Sequence, residues 1–591
     1  ERARSGSASC AAQAKLAYED PFWSLVRTGD AEGIFGEVRA RPEVLCERGP
    51  EGETPLHMLV LYRHFEVARA LAGRYPNLIL DQYTGENYKG ENCVHIAIVH
   101  HSLDFLRFLL ETSQKHGSIR KLLSARATGL FFARGQPCYY GETPLGFAVS
   151  TNMCQVVREM VRTYGASLED VDSNGNNLLH LTVVHMLPEM HDTILSLWGE
   201  IHTTSAREPL TRRPNKEGLT PLCAAAKYGL ADIFNHMINS MCETQWSFGP
   251  VTCVVLPLDG LDYIPGEESG AIEHIVREGH LDLVSLPLVQ ELLAKKWEAF
   301  VQDIFIRRFK WSLLQSVMFT LMVVFDPESA DSSSLRAVSF AMHWVCRAAL
   351  SCLAVHKLSI ELRELYTEGF HRYFGKGAIL FENVASFSFV LTFLVAQLLQ
   401  LCESTLSTPV LATSALLSWF YLLWFLLGFS STGHLVVSIW KIVTDDLVKF
   451  TQLTSIFVVG FSLAFFITTT SPSQRGPSTF VRHVFVCFHM MTNGFEKDAD
   501  VDPFFDALVV TYAVLVPILL INMLIAMMND TYNKVSERAE QQWRLERARV
   551  ITSIEQELYS NQTGVASQYW VEIEGRRCLQ MQQENSAWAR S

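Results

Sequence analysis

At 591 residues the chain is too long for one hydrophobic core, so two or more domains are expected. A formal net charge of −13 argues against general nucleic-acid binding, which needs a basic face, and leaves room only for local basic strips. The 13 cysteines form no Cys-x-x-Cys pair and no zinc-ligand spacing, which points to a reduced, cytosolic exposure.

Charge is uneven along the chain. Most of it lies before residue 310 and after residue 535, and the stretch between is lipid-like. In the first part, Gly52-Glu53-Thr54-Pro55-Leu56-His57 opens a unit that recurs at Gly141-Glu142-Thr143-Pro144-Leu145 and Gly218-Leu219-Thr220-Pro221-Leu222. Weaker copies begin at Gly90 and Gly175, and a degenerate leading unit spans Pro21–Glu47. The threonine caps a helix, the proline fits its first turn, and the Leu and Ala positions pack on the next unit. The pattern resembles the ankyrin repeat, with extra loops between unevenly spaced units forming a protein-contact surface. His57, His95 and His180 are read as cap histidines bonding backbone, in preference to metal ligands.

After Phe248-Gly249-Pro250, residues Val251–Leu256 alternate like a strand, and the run Leu292-Leu293-Ala294-Lys295-Lys296-Trp297-Glu298-Ala299-Phe300 follows in the same linker segment. Arg307, Arg308 and Lys310 mark the cytosolic edge of a first membrane span, Phe309–Phe325. Further spans are predicted at Leu335–Ile360, Ala378–Leu401, Pro409–Val437, Leu447–Thr469 and within Asp506–Val535. Arg363, Arg372, Lys376, Lys441, Lys449, Lys534, Arg538, Arg544, Arg547 and Arg549 then share one side, which the positive-inside rule makes cytosolic, with both termini. From Pro409 to Trp440 there is no Lys or Arg. A voltage sensor moves such charges through the field, at about 2.3 kcal/mol each per 100 mV, so steep voltage gating from this helix is not available. Arg347 either faces the bundle interior, with Glu382 as candidate partner, or snorkels to an interface.

The last span carries Pro517 in its interior and the amide Asn522 in lipid territory. Before it lie a short re-entrant helix, Phe480–Met491, the turn Thr492-Asn493-Gly494-Phe495-Glu496, and the acids Asp498, Asp500, Asp502 and Asp506. Thr492, Asn493 and Gly494 are the candidate filter, and Glu496, Asp498 and Asp500 give a mouth that concentrates cations. Beyond the span, Trp543, Val550, Ile554 and Leu558 form an apolar stripe on a charged helix.

The Leu-Leu-x-x-Lys-Trp-x-x-Phe element, the run Asn522-Met523-Leu524-Ile525-Ala526 and the helix Glu537–Ala548 together resemble the transient receptor potential (TRP) channels, vanilloid-like subfamily. The resemblance implies a mainly α fold. It comprises a cytosolic ankyrin-repeat domain (1–247), a linker with a small β sheet and pre-membrane helix (248–307), a four-helix bundle (308–437), a swapped pore domain (438–535), and a TRP helix with a C-terminal strand (536–591). It implies a homotetrameric, non-selective, calcium-permeable cation channel passing Ca2+, Na+ and K+, weakly voltage dependent and responsive to temperature or chemical stimuli. Ile525 becomes the constriction, with Met528 or Asn529 below, unless a small rotation turns Ile525 outward. Asn522, Trp543 and Arg547 become the coupling residues, with Trp543 set against the linker Ser438–Phe450. Lys295, Lys296, Arg307, Arg308, Lys441, Lys449, Arg544 and Arg549 become candidate sites for a phosphoinositide such as phosphatidylinositol 4,5-bisphosphate. Glu361, Glu364, Glu382 and Asn383 become a candidate calcium site, although Ser386 stands where another carboxylate is expected. The turn after the pore helix departs from the family's Gly-x-Gly-Asp filter, which leaves its register and calcium selectivity open.

The competing classes fare worse. Ankyrin repeats before membrane spans also describe membrane palmitoyl transferases, but the required Asp-His-His-Cys string is missing, and no enzymatic cofactor motif is found. A membrane-tethered ankyrin scaffold has no need of a filter turn or a TRP helix. The plasma membrane or another cellular membrane is the expected location, and a cytosolic protein is the expected partner of the repeats.

Overall fold

The computed structural model describes residues 21–201, 208–249, 251–262, 269–325, 333–368, 378–493, 503–560 and 569–584. They fall into two compact units: one contains the chain up to Glu278 together with the segment from Trp570, and the other runs from Gly279 to Tyr569.

The first unit is a stack of paired helices closed by a small sheet. Thr54, Thr143 and Thr220 cap the helices Pro55–Leu61, Pro144–Ser150 and Pro221–Tyr228, each with proline in the first turn. Asn92 and Asn177 do the same for Cys93–Val99 and Leu178–Val184. The cap histidines complete these turns: His95 Nδ1 accepts from the Asn92 amide at 3.1 Å, and His180 Nδ1 from the Asn177 amide at 3.2 Å. Their Nε2 atoms reach the next unit, at Glu142 O (3.0 Å) and Leu219 O (2.8 Å). Burial pulls the His57 and His95 pKa values down to about 3, so both rings are neutral. Gly90 adopts φ +85°, and a Cβ there would lie 1.8 Å from the Arg126 carbonyl oxygen, so no other residue fits this opening position.

The sheet is antiparallel throughout, in the order β1-β2-β4-β3, with β1 at Glu243–Phe248, β2 at Val251–Pro257, β3 at Val571–Ile573 and β4 at Arg576–Glu584. The alternation of Val251–Leu256 is borne out, and β4 pairs with β2 from Val251↔Glu584 to Pro257↔Cys578. β1 extends the sheet from a segment that the sequence reading left at the end of the repeats.

Among the described residues of the second unit, five helical stretches are long and apolar enough to cross a membrane by length and composition: residues 337–363, 382–401, 407–428, 430–469 and 503–534. The helix Gln302–Val324, the expected first span, is not among them, because Asp303, Arg307, Arg308 and Lys310 occupy its first half. Phe319, Met322, Cys346, Leu350, Phe389 and Phe393 form a common core for this helix and the next two. A second core, with Phe450, Val458, Phe465, Cys487, Phe505, Tyr512 and Val516, joins the helices Val448–Thr469, Pro477–Asn493 and Pro503–Ala513.

One backbone detail corrects the reading of the spans, and a second bears out the disturbance expected at Pro517. The fourth span ends earlier than Val437. Its helix stops at Phe425, tightens over Leu426–Gly428, and a new helix begins at Ser430. At the break the Phe305 ring packs on Gly428, 2.3 Å from where a Cβ would sit, so a larger residue there would displace the ring. Pro517, which lacks an N–H, lies within a widened turn, Val514–Leu520, that feeds directly into the 40-residue helix Ile521–Ser560.

Candidate pore and coupling site

The short helix Pro477–Asn493 is held at the centre of the second core. The Tyr512 hydroxyl donates to the Cys487 carbonyl at 2.5 Å, tying this helix to the first half of the last span. Its C-terminus is Asn493, and the side chains of Thr492 and Asn493 lie outside the described residues, as do Gly494, Glu496, Asp498 and Asp500 altogether. On Ile521–Ser560, the positions Asn522, Ile525 and Asn529 recur at helical spacing and are all exposed in the single chain, Ile525 to 59%. Met528 is half-buried.

Further along the same helix, Trp543 packs on the helix Ser430–Ile442. Its indole Nε1 donates to the Leu427 carbonyl at 2.8 Å, a group freed where the fourth span breaks. The ring lies where a Gly433 side chain would be, 2.2 Å from the built Cβ position. The expected anchor, Ser438–Phe450, is therefore corrected to the stretch Leu427–Gly433. A cleft of about 320 Å3 lies alongside, lined by His434, Ser438, Tyr532 and Trp543 among others.

One turn on, the Arg547 guanidinium lies between two indoles, 4.4 Å from the Trp297 ring centroid and 5.4 Å from that of Trp543. Its Nε has no hydrogen-bond partner among the described residues. Burial lowers its pKa, opposed by the nearby Glu298 carboxylate. Two turns further, Glu555 receives the Lys296 ammonium at 2.7 Å in a buried pair. Sequence reasoning missed Glu555, although it lies four residues from Ile551 and eight from Arg547, on the buried stripe, where an acid calls for a partner.

The basic residues separate accordingly. Lys296 is corrected: it is 1% exposed and paired, so it has no free face for a lipid. Arg308 pairs with Glu557, Arg549 with Glu546, and Arg544 with Glu540. Arg307, Lys441 and Lys449 are exposed, and Lys295 is half-buried.

In the helical bundle, Arg347 is also corrected. Its Nε donates to Gln397 Oε1 at 2.6 Å, and its guanidinium lies 5.1 Å from the Trp344 ring centroid, so Glu382 is not its hydrogen-bond partner. Of the candidate calcium ligands, Glu361 is buried and accepts from the Ser386 hydroxyl. Glu382 and Asn383 are half-buried, and the Glu364 side chain lies outside the described residues.

A family model described as "Calcium channel YVC1-like, C-terminal" matches residues 335–561, which contain the bundle after its first helix, the short helix Pro477–Asn493 and most of the helix bearing Trp543. The human transient receptor potential cation channel subfamily V member 6 is 26% identical over 96% of this chain and 79% of its own length. Subfamily V member 5 from human is 28% identical over 87% of this chain and 73% of its own. The chain is thus similar to vanilloid-subfamily TRP channels over nearly its whole length. Subfamily V member 2 from mouse, 27% identical over 91% of the chain, extends the likeness across the subfamily. The matched model and relatives are channels and not enzymes, and the likeness favours a channel subunit over a pore-less ankyrin scaffold.

Proposed function

We propose that four copies of this chain enclose one calcium-permeable, non-selective cation pathway in a cellular membrane, with both termini in the cytosol. The observation that carries this reading is the exposed row Asn522, Ile525, Asn529 on a helix that continues without a break to Trp543. A row of this kind in a single subunit suits the lining of a pore, and an apolar ring at Ile525 closes such a pore by dewetting. One chain supplies one pore helix and one lining helix, so several copies are needed.

The pore helix Pro477–Asn493 leads into the acidic segment, and Glu496, Asp498 and Asp500 are assigned to the mouth, with Thr492, Asn493 and Gly494 as filter. The fourth span lacks Lys and Arg, so voltage dependence is weak. Arg307, Lys441 and Lys449 are the exposed cations most available to a phosphoinositide headgroup, with Lys295, Arg308, Arg544 and Arg549 as partly engaged neighbours. Glu361, Glu364, Glu382 and Asn383 remain the candidate calcium set inside the bundle, and a cytosolic protein is the proposed partner of the repeats.

Whole-cell recording of the expressed chain tests the proposal, with internal phosphoinositide supplied and then depleted across a temperature ramp. A cation current is expected, and Glu496→Gln with Asp500→Asn should lower divalent permeation relative to sodium. Surface-expressed protein with no current under these conditions would overturn the pore. Unchanged divalent permeation in the double variant would remove the mouth assignment.

A further inference from the structure

Among the described residues, the only group of three or more His, Cys, Asp or Glu side chains arranged to hold a metal ion lies far from any predicted pore residue in sequence, in the repeat stack. His191 and Asp192 begin the helix Pro188–Ile201, and His236 lies on Ala231–Met241, the outer helix of the next repeat. One ligand atom from each falls within 4.8 Å of the other two. Asp192 Oδ1 is 2.9 Å from His236 Nε2 and 3.5 Å from His191 Nδ1, and the two imidazoles stand nearly perpendicular, 6.1 Å apart.

The second observation is His191 itself. Its side chain is 2% exposed, yet among the described residues Nε2 has no hydrogen-bond partner and Nδ1 has only the long 3.5 Å contact with Asp192. The cap histidines His95 and His180 bond backbone groups through both ring nitrogens, and His57 bonds the Thr54 amide through Nδ1, whereas His191 makes no such backbone bond among the described residues. Leaving a buried polar group unmade costs about 1–3 kcal/mol. Burial lowers the His191 pKa and keeps the ring in the neutral form that binds metal.

We propose that His191, Asp192 and His236 form a binding site for a borderline divalent cation of the zinc class, clamping two neighbouring repeats. Two imidazole nitrogens and one carboxylate oxygen suit zinc, cobalt or nickel, whereas calcium and magnesium prefer oxygen ligands. The metal takes the place of the proton that bridges His236 Nε2 and Asp192. That proton leaves to solvent, or His236 takes the Nδ1–H tautomer. Small side-chain rotations bring the three atoms to the spacing of a tetrahedral ion, and water fills the fourth position. Asp192 and His236 are 54% and 33% exposed, which gives the ion an entry path.

The test is cobalt titration of the chelator-stripped full chain in detergent, read by visible absorption and by bound metal after gel filtration. The wild-type chain is expected to hold one cobalt equivalent that zinc displaces and calcium does not. Asp192→Asn and His236→Gln are each expected to lose that equivalent, with metal-free thermal midpoints unchanged because both side chains sit at the surface. His191→Phe, which fills the buried space, should lose it too. No cobalt bound to wild type, or the same equivalent in the Asp192→Asn and His236→Gln chains, would overturn the site.

Discussion

The Lys296 ammonium meets the Glu555 carboxylate at 2.7 Å, with the two side chains 1% and 3% exposed and 259 residues apart in sequence. The pair fixes the end of the pre-membrane helix Pro287–Lys296 to the helix that carries Trp543. A buried pair of this kind is costly to break from one side, because the surviving charge is stranded.

Glu555→Gln is therefore expected to destabilise the membrane unit by about 3–5 kcal/mol, and Lys296→Met by a similar amount. The double variant Lys296→Met/Glu555→Leu should recover most of that loss, since an apolar pair of similar volume replaces both charges. Thermal midpoints of the four chains in detergent check this, and additive losses would show that the ion pair is not the shared cause.

Gly433→Ala places a methyl group on the Trp543 indole, where the built Cβ lies 2.2 Å from Nε1. The indole has to move, and its bond to Leu427 is lost, at roughly 0.5–1.5 kcal/mol. The expected outcome is a shift in open probability in the same direction as Trp543→Ala, with the double variant no worse than the stronger single. Single-channel recording decides it. A strictly additive double variant would separate Gly433 from the indole.

Arg547→Lys keeps the charge and removes the flat guanidinium between Trp297 and Trp543. A flexible ammonium cannot stack on both rings, so a loss of about 1–2 kcal/mol of stability is expected despite the conserved charge. Trp297→Leu should lower the midpoint comparably, and the Arg547→Lys change should then cost little in the Trp297→Leu background.

Several of these contacts were legible in sequence, and the reasons others were not are physical. Thr54, Thr143 and Thr220 announce their caps because capping is decided within four residues. Pro517 announces a disturbed helix for the same local reason. Trp543 and Arg547 were legible as coupling residues, but their partner segment was not. At the break Leu426–Gly428, Gly428 is packed by Phe305, more than one hundred residues upstream, and that contact cannot be read locally. Lys296 reads as one more cation in a basic cluster until Glu555 is brought to it, and Arg347 reads as needing an acid where an amide, Gln397, suffices. The first span illustrates the opposite limit. Its basic half is visible in the sequence, and that same half keeps the helix below the composition of a membrane span.

The repeat stack should carry its own acid sensitivity. His57 and His95 are wholly buried, and burial holds both pKa values at about 3, against 6.5 in an unfolded chain. A depressed folded pKa means that the unfolded state takes up the proton first. Their contribution to stability is therefore complete above pH 6.5 and declines as the pH falls from there toward 3. The slope is about 1.4 kcal/mol per pH unit for each ring, so roughly 2 kcal/mol per histidine is lost by pH 5. Thermal midpoints of the solubilised chain at pH 7.5 and pH 5 should show this fall. In His95→Gln the midpoint at pH 7.5 should drop, because the bonds to Asn92 and Glu142 are altered, while the further loss on acidification shrinks by about one histidine's share. An equal acid shift in both chains would mean that His95 does not carry the effect, and the sensitivity would then lie with the other buried histidines of the stack, His57, His180, His185 and His191, or with its carboxylates.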